Sequence, residues 1–315
     1  MSQPSPAPVV VGVDGSVPAA EAARAAAREA DRRRLPLRLV RAFHWPYGTL
    51  PGLPADLDAR AIARRSANAE LERLHGILTG LLPRGRITAA LVDGRPELVL
   101  RRETEAASLL VVGATGLTWG HGPTLGSVAD AVASSALCPV LVHRVAPALG
   151  PRRHGVVVGV DGGAGTATVL AAAAAEARLR AQPLRVVHAW RQLTEDAMVP
   201  LRWRLDRDAT DRAERALLAE QVGALSRTHP GLSVEIVILP GRPGHVLVEQ
   251  ADAAELVVVG VRQLGTPGEG TTAHSVLHRC ATPVLTVPVP SHSAGDPGHV
   301  NRAAVLSAVS GPLVG

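Results

Sequence analysis

The stretch Val9–Gly15 reads VVVGVDG, and the same seven residues return at Val156–Gly162. A constant offset of 147 residues separates the two copies, and three further blocks repeat at that offset. These blocks pair LRLVRAF at 37–43 with LRVVHAW at 184–190, GRP at 94–96 with GRP at 241–243, and LLVVG at 109–113 with LVVVG at 256–260. Internal repetition decides how every local pattern is read, so the 315-residue chain is interpreted as two similar domains.

Each half alternates predicted strands with predicted helices. The continuous β-branched run Val9–Val13 is typical of a strand buried on both faces of a parallel sheet. Ala19–Arg34 carries charged residues every three or four positions, which predicts a helix with an alanine-rich inner face. The alternation predicts an α/β fold of two repeated Rossmann-like domains, each an open, parallel five-stranded sheet with helices on both faces. We place them at 1–148 and 149–290, followed by a flexible tail at 291–315.

Composition excludes several classes of function. The net charge of +5 comes entirely from arginine, and the absence of lysine excludes a Walker-type phosphate loop. Basic clusters such as residues 31–34 are short and predict solvated helix ends, so we expect no nucleic-acid partner. No apolar run approaches the roughly 18 residues of a membrane span, so we expect no membrane association. Cys138 and Cys280 show no metal spacing, which favours a reduced, cytoplasmic location.

Glycines are concentrated after the fourth predicted strand of the first half. The segment Gly113–Val128, GATGLTWGHGPTLGSV, has five glycines in sixteen residues and ends at a predicted helix. Ligands of open parallel sheets bind beyond the carboxyl ends of the strands. Glycines allow close backbone approach and a helix N-terminus attracts anions, so the segment predicts a phosphate site. The alternative is a surface connection with Ser127 as the helix N-cap.

Four features together resemble the universal stress protein family. They are VVVGVDGS at 9–16, VVGA at 111–114, the spacing Gly-x2-Gly-x9-Gly-Ser from 113 to 127, and CPVLV at 138–142. The resemblance covers residues 8–145 and 154–288 and implies a tandem member that binds ATP, with or without Mg²⁺. It implies nucleotide contacts in domain 1 from Gly12, Asp14, Ala42, Gly113, Gly116, Gly126, Ser127 and Val128. For Asp14, the alternative is a carboxylate that satisfies the following turn.

The second half departs from this pattern. Gln263 stands where the second motif glycine is expected, and three residues are missing before the next helix. We therefore predict a weakened second site, unless Gly265 and Gly268 restore the turn in another register. The positions equivalent to the first site are Gly159, Asp161, Ala189, Gly260, Gly270 and Thr271.

Histidines offer two further candidates. His274 and His278 have the helical i, i+4 spacing of metal ligands, but no third ligand is evident nearby in the sequence, so we interpret them as ordinary helix residues and predict no metal site. His188 is interpreted as a packed or hydrogen-bonded strand residue, because Arg41 occupies its equivalent position.

The function predicted from the sequence is a non-enzymatic, ATP-binding regulatory protein of the stress response. The alternatives are a slow ATPase and a nucleotide-independent scaffold with a partner-binding surface. The resemblance also implies that the last strands of the two domains, Val140–His143 and Val284–Val287, pair with each other, and that two tandem chains associate as a homodimer.

Overall fold

The computed structural model describes residues 6–45, 58–82, 85–116, 125–145, 154–163, 165–190, 207–262 and 271–290. The tail predicted at 291–315 and the site residue Gly270 lie outside these ranges. Within them, no helix combines the length and apolar character needed to cross a membrane.

The first domain alternates strands and helices as the sequence predicts. Its elements are β1 (Val9–Gly12), α1 (Val17–Arg33), β2 (Leu37–Phe43), α2 (Ala59–Leu78), β3 (Ile87–Asp93), α3 (Pro96–Glu103), β4 (Leu109–Gly113), α4 (Ser127–Ser135) and β5 (Val140–His143). The start of α1 is fixed by Ser16, whose hydroxyl accepts the Ala19 N–H at 3.2 Å. Alanines such as Ala22 and Ala26 are fully buried on α1, so this helix lies close against the sheet.

The second domain repeats the order of the first. Its elements are β6 (Val156–Val160), α5 (Thr166–Leu179), β7 (Leu184–Trp190), α6 (Arg207–Thr228), β8 (Val234–Pro240), α7 (Pro243–Ala251), β9 (Leu256–Arg262), α8 (Thr272–Arg279) and β10 (Val284–Val289). Apolar side chains form one layer on each face of the sheet, which confirms the α/β architecture with helices on both faces.

All ten strands form one continuous sheet in the order β3-β2-β1-β4-β5-β10-β9-β6-β7-β8. Pairing is parallel within each domain, whereas β5 and β10 pair antiparallel with Leu141 opposite Leu285. The predicted association of the two last strands is therefore confirmed within one chain. The Thr286 hydroxyl adds a contact between the domains by donating to the Ala133 carbonyl at 3.3 Å.

A buried four-charge network joins α1 of domain 1 to α5 of domain 2. Glu29 and Glu176 are separated by the repeat offset of 147 residues, as are Arg33 and Arg180. Each arginine binds the glutamate one turn earlier on its own helix and the glutamate of the other domain, and Arg180 Nη2 donates to Glu29 Oε1 at 2.6 Å. The side chains of Arg180 and Glu29 are only 4% and 5% exposed, so the network belongs to the interdomain core.

The prediction that residues 31–34 form a solvated helix end is wrong for Arg33. Its guanidinium is only 14% exposed, because it lies between Glu29 and Glu176. Burial alone would lower the pKa of Arg33, but the two carboxylates outweigh this effect and raise it. Burial would likewise raise the pKa of Glu29, but the guanidiniums of Arg180, Arg33 and Arg32 together lower it.

Candidate functional site

The carboxyl ends of β1, β2 and β4 lie side by side at one edge of the sheet. Gly12 is in register with Val40, and Val11 is in register with Val111. Asp14 follows the end of β1 by two residues, Ala42 lies near the end of β2, and β4 ends at the same edge at Gly113. The structure thus brings together the three strand ends that the sequence pattern marks as a binding site.

The Asp14 carboxylate lies between the turn that follows β1 and the turn that follows β4. Its Oδ1 accepts the Ser16 N–H at 2.9 Å, so the alternative interpretation, a carboxylate that satisfies its own turn, describes one oxygen correctly. The other oxygen lies against Gly116, because a Cβ on that glycine would come within 2.7 Å of Asp14 Oδ2. A larger residue at 116 would therefore displace the carboxylate.

The start of α4 also contacts the turn that follows β4. Gly126 donates its N–H to the Ala114 carbonyl at 2.7 Å. A Cβ on Gly126 would meet Ala114 O at 3.4 Å and Gly116 N at 3.8 Å, so Gly126 contacts the backbone of the β4 turn directly. Two glycines, Gly116 and Gly126, thus lie at the turn beside Asp14.

The N-terminus of α4 is not capped by serine. Gly126 is the N-cap, Ser127 is the first helical residue, and no side chain among the described residues caps this helix. The alternative in which Ser127 acts as the N-cap is therefore wrong. The first N–H groups of an α-helix have no partner within the helix, so those of Ser127 and Val128 can donate to an anion.

Two of the predicted site glycines have a packing role. A Cβ on Gly12 would come within 2.6 Å of Leu100 on α3, and a Cβ on Gly159 would come within 2.4 Å of Leu247 on α7. Both glycines thus allow a leucine to pack directly on the first strand of its domain. A role for Gly12 and Gly159 in ligand binding stays a prediction.

A cleft of about 230 Å³ opens beside the site, between α1 and α2. Gly15 and Leu74 lie in its wall with Arg41, whose guanidinium binds the Glu70 carboxylate. The backbone of Gly15 has a φ of 91°, which turns the chain from β1 into α1 and allows Glu70 to approach. The sequence signal for this cleft is Arg41, a charged residue in a strand that is otherwise apolar at its carboxyl end.

The equivalent aspartate of domain 2 is engaged by an arginine. Asp161 Oδ1 accepts the Gly163 N–H at 2.9 Å, and Arg262 Nη2 donates to Asp161 Oδ2 at 3.0 Å. Arg262 stands at the end of β9, and the residue at the repeat offset in domain 1 is Thr115. Domain 1 therefore has threonine at the position of this arginine, a difference that the repeat alignment shows.

The helix start of the second site is also different. The N-cap of α8 is Thr271, and its hydroxyl accepts the His274 N–H at 3.2 Å. One donor of this helix N-terminus is thus satisfied by the protein itself, whereas the N-terminus of α4 has no such side-chain cap among the residues described. Ala189 lies one residue before the end of β7, whereas β9 continues two residues past Gly260, its predicted end, and a Cβ on Gly260 would come within 2.8 Å of Val169 on α5.

For the histidines, the structure confirms the prediction for His188 and adds a neighbour to His274 and His278. His188 is 1% exposed and its Nδ1 lies 3.0 Å from the Val160 carbonyl oxygen, which confirms a packed, hydrogen-bonded strand residue. The sequence shows no third ligand near His274 and His278, but the fold brings Asp130 of the other domain within 4 Å of both imidazoles, and the absence of a metal site stays a prediction. Asp130 could not be identified as a neighbour from the sequence, because only the fold brings α4 and α8 together.

The fold defines a tandem Rossmann-like α/β protein whose first domain carries a candidate anion site. The sequence model of the Universal stress protein family matches residues 7–144 and 153–288. A universal stress protein of Mycobacterium tuberculosis (strain ATCC 25618 / H37Rv) is 32% identical over 282 residues, which cover 80% of this chain and 96% of that protein. This chain therefore belongs to the universal stress protein family.

One solved structure shows the same fold over most of the chain. A universal stress protein from Archaeoglobus fulgidus DSM 4304 superposes with a TM-score of 0.65 and 17% identity, covering 89% of this chain and 98% of that chain. Another universal stress protein from Archaeoglobus fulgidus, solved in complex with dAMP, covers 42% of this chain and 94% of its own, with 27% identity and a TM-score of 0.30.

Proposed function

We propose that this chain is a cytoplasmic, ATP-binding regulatory protein of the stress response that holds its nucleotide in domain 1. The observation that carries the proposal is the start of α4. There, a glycine N-cap without a side-chain cap among the described residues contacts the Gly116 turn, and that turn contacts the Asp14 carboxylate. Uncapped helix amides suit phosphate oxygens, and a neighbouring carboxylate suits the hydroxyl or amino donors of a nucleoside.

We assign the roles of the individual groups from this geometry together with the family resemblance. The N–H groups of Ser127 and Val128 hold the phosphates, Asp14 Oδ2 accepts from the nucleoside, and the main chain at Ala42 meets the base. Mg²⁺, when present, arrives with the phosphates, because their oxygens and water supply most of its ligands.

Ligand binding would act by linkage. A nucleotide present at 100 times its Kd stabilises the binding-competent form by about 2.7 kcal/mol. Two domains that share one continuous sheet would transmit such a change to the whole chain. No chemical step is required for this kind of regulation, so the proposal assigns no catalytic residue.

Domain 2 is proposed as a weaker site with a different role. The Arg262 guanidinium binds the Asp161 carboxylate, and the Thr271 hydroxyl accepts from one of the helix N–H groups. These two contacts favour the scaffold alternative for this domain, in which its surface binds a partner. Association of two tandem chains would use other surfaces, because β5 and β10 already pair within the chain.

An isosteric pair of variants tests the asymmetry of the two sites. Asp14→Asn keeps the oxygen that accepts the Ser16 N–H but removes the charge, so we expect ATP to bind about 10- to 100-fold more weakly. Asp161→Asn, the matched change in domain 2, should leave the affinity unchanged. Isothermal titration calorimetry gives both values, with an expected stoichiometry of one ATP per chain. Equal losses in the two variants, or two equivalent sites, would contradict the proposal.

A further inference from the structure

Two domains contribute to a cluster of possible metal ligands beside the β5–β10 seam. Asp130 lies in the first turn of α4 in domain 1, and His274 and His278 lie one turn apart on α8 in domain 2. One ligand atom from each of the three side chains lies within 4.8 Å of the others. Neither domain holds this cluster alone, so it exists only because the last strands of the domains pair.

The internal repeat explains why these residues meet. After the three-residue deletion the offset between the halves is 144 residues, so His274 stands at the position equivalent to Asp130, and His278 stands at that of Ser134. Equivalent helices approach each other across the antiparallel β5–β10 pair. The Asp130 carboxylate on α4 therefore lies next to the two imidazoles on α8. The equivalent helices of the two domains thus supply different types of metal ligand.

The distances are close to those of an occupied site. Asp130 Oδ1 lies 3.9 Å from His274 Nδ1 and 3.7 Å from His278 Nε2. Bond lengths of about 2.0–2.2 Å to Zn²⁺ and tetrahedral angles separate ligand atoms by about 3.3 Å. A movement of roughly half an ångström, within the reach of side-chain rotation, would bring Asp130 Oδ1 to that separation from each imidazole nitrogen.

Two of the three ligand atoms have no hydrogen-bond partner in the part of the chain that the structure describes. Asp130 Oδ1 and His278 Nε2 are both buried from solvent, and neither has a hydrogen bond among the described residues. A buried polar atom without a partner costs free energy, which a bound cation would recover. The side chains as a whole remain about one-third exposed, so an ion can reach the cluster from solvent.

We propose that Asp130, His274 and His278 bind a divalent transition-metal ion of the Zn²⁺ type across the two domains. Two imidazole nitrogens and one carboxylate oxygen suit zinc and its neighbours better than Mg²⁺ or Ca²⁺, which prefer oxygen ligands. Three protein ligands leave a fourth position for water. The ion would join α4 to α8, so the metal would fix the arrangement of the domains independently of any nucleotide.

Titration of the chelator-stripped, full-length protein with Zn²⁺ tests this proposal. Calorimetry should show a site of one ion per chain that Mg²⁺ does not occupy. Loss of second-shell partners weakens metal sites about 10- to 100-fold, so removing a ligand through Asp130→Asn, His274→Ala or His278→Ala should weaken this one about 100-fold or more. Asp130→Asn is isosteric and keeps the fold testable if an alanine variant is unstable.

His245→Ala is the matched control. His245 and Glu249 also form an i, i+4 pair, with 3.4 Å between Nε2 and Oε1, but this pair is exposed on α7 and has no second histidine one turn away. Its removal should leave Zn²⁺ affinity unchanged. Absence of the one-ion site, or a site that persists unchanged in Asp130→Asn and in the two histidine variants, would overturn the proposal. Anomalous diffraction at the zinc edge should locate the ion between α4 and α8.

Discussion

Replacing Arg180 with alanine should lower the free energy of unfolding by about 3–5 kcal/mol, the range measured when one partner of a buried ion pair is removed. Arg180 is 4% exposed and binds the glutamates of both domains. Its removal leaves Glu29 and Glu176 close together, with Arg33 bound to both glutamates and Arg32 bound to Glu29 alone. Urea denaturation followed by circular dichroism measures the loss.

Arg185→Ala is the control for the Arg180 variant. Arg185 pairs with Glu235 at 2.8 Å, but the two side chains are 42% and 60% exposed. Solvent-exposed pairs contribute roughly 0–1 kcal/mol, so this variant should unfold almost as the parent does. A similar loss of unfolding free energy in both variants would show that the buried interdomain network stabilises the fold no more than an exposed ion pair does.

The same network predicts how stability depends on pH. The folded state lowers the pKa of Glu29 from its ordinary value of 4.5, because the three neighbouring guanidiniums outweigh its burial. A lowered carboxyl pKa contributes stability that is complete above the unfolded pKa and is lost as the pH falls through the folded pKa. We therefore expect this contribution to be constant near neutrality and to disappear below about pH 4.5. In Arg180→Ala, the free energy of unfolding should fall less steeply as the pH is lowered. Denaturation series between pH 3 and pH 7 would reveal this difference.

Gly126→Val should abolish measurable ATP binding. The affinity should fall by about 100-fold or more, because two charge-assisted hydrogen bonds would be removed. The backbone at Gly126 has a φ of −69° and a ψ of 146°, a conformation that any residue adopts, so the fold should persist. A Cβ would already contact Ala114 O at 3.4 Å, and the two methyl groups beyond it would cover the turn where phosphates are proposed to bind. Calorimetric titration with ATP measures the loss.

Gly76→Val provides the matched control in the same domain. A Cβ at this exposed position on α2 would meet no atom within 4 Å. We expect ATP affinity and thermal stability to stay at the parent values. If Gly126→Val binds ATP as tightly as Gly76→Val does, the turn at the start of α4 is not the phosphate site.

Much of the fold could be predicted from the sequence, because the repeat fixes two domains and strand-helix alternation fixes a parallel sheet. Strand β2 begins and ends where its apolar pattern predicts, at Leu37 and Phe43. The pairing of β5 with β10 also followed from the family resemblance. The predicted helix boundaries were less accurate. Helix α1 begins at Val17, two residues before its predicted start, because Ser16 caps it.

Contacts between the domains could not be predicted from local patterns. Arg33 looks like a solvated residue in its own helix, and only the opposing α5 shows that it is buried. Asp130 and His274 are separated by more than a hundred residues and meet through the β5–β10 pairing. In both cases the informative signal was the repeat itself, since equivalent helices of two similar domains face each other when their last strands pair.

A structure of the protein in complex with Mg-ATP tests the central claim most directly. We predict phosphate oxygens within hydrogen-bond distance of the N–H groups of Ser127 and Val128, with the nucleoside beside Asp14 and no nucleotide at Asp161. An empty crevice under saturating ATP, or phosphates held by arginine side chains away from the start of α4, would contradict this account.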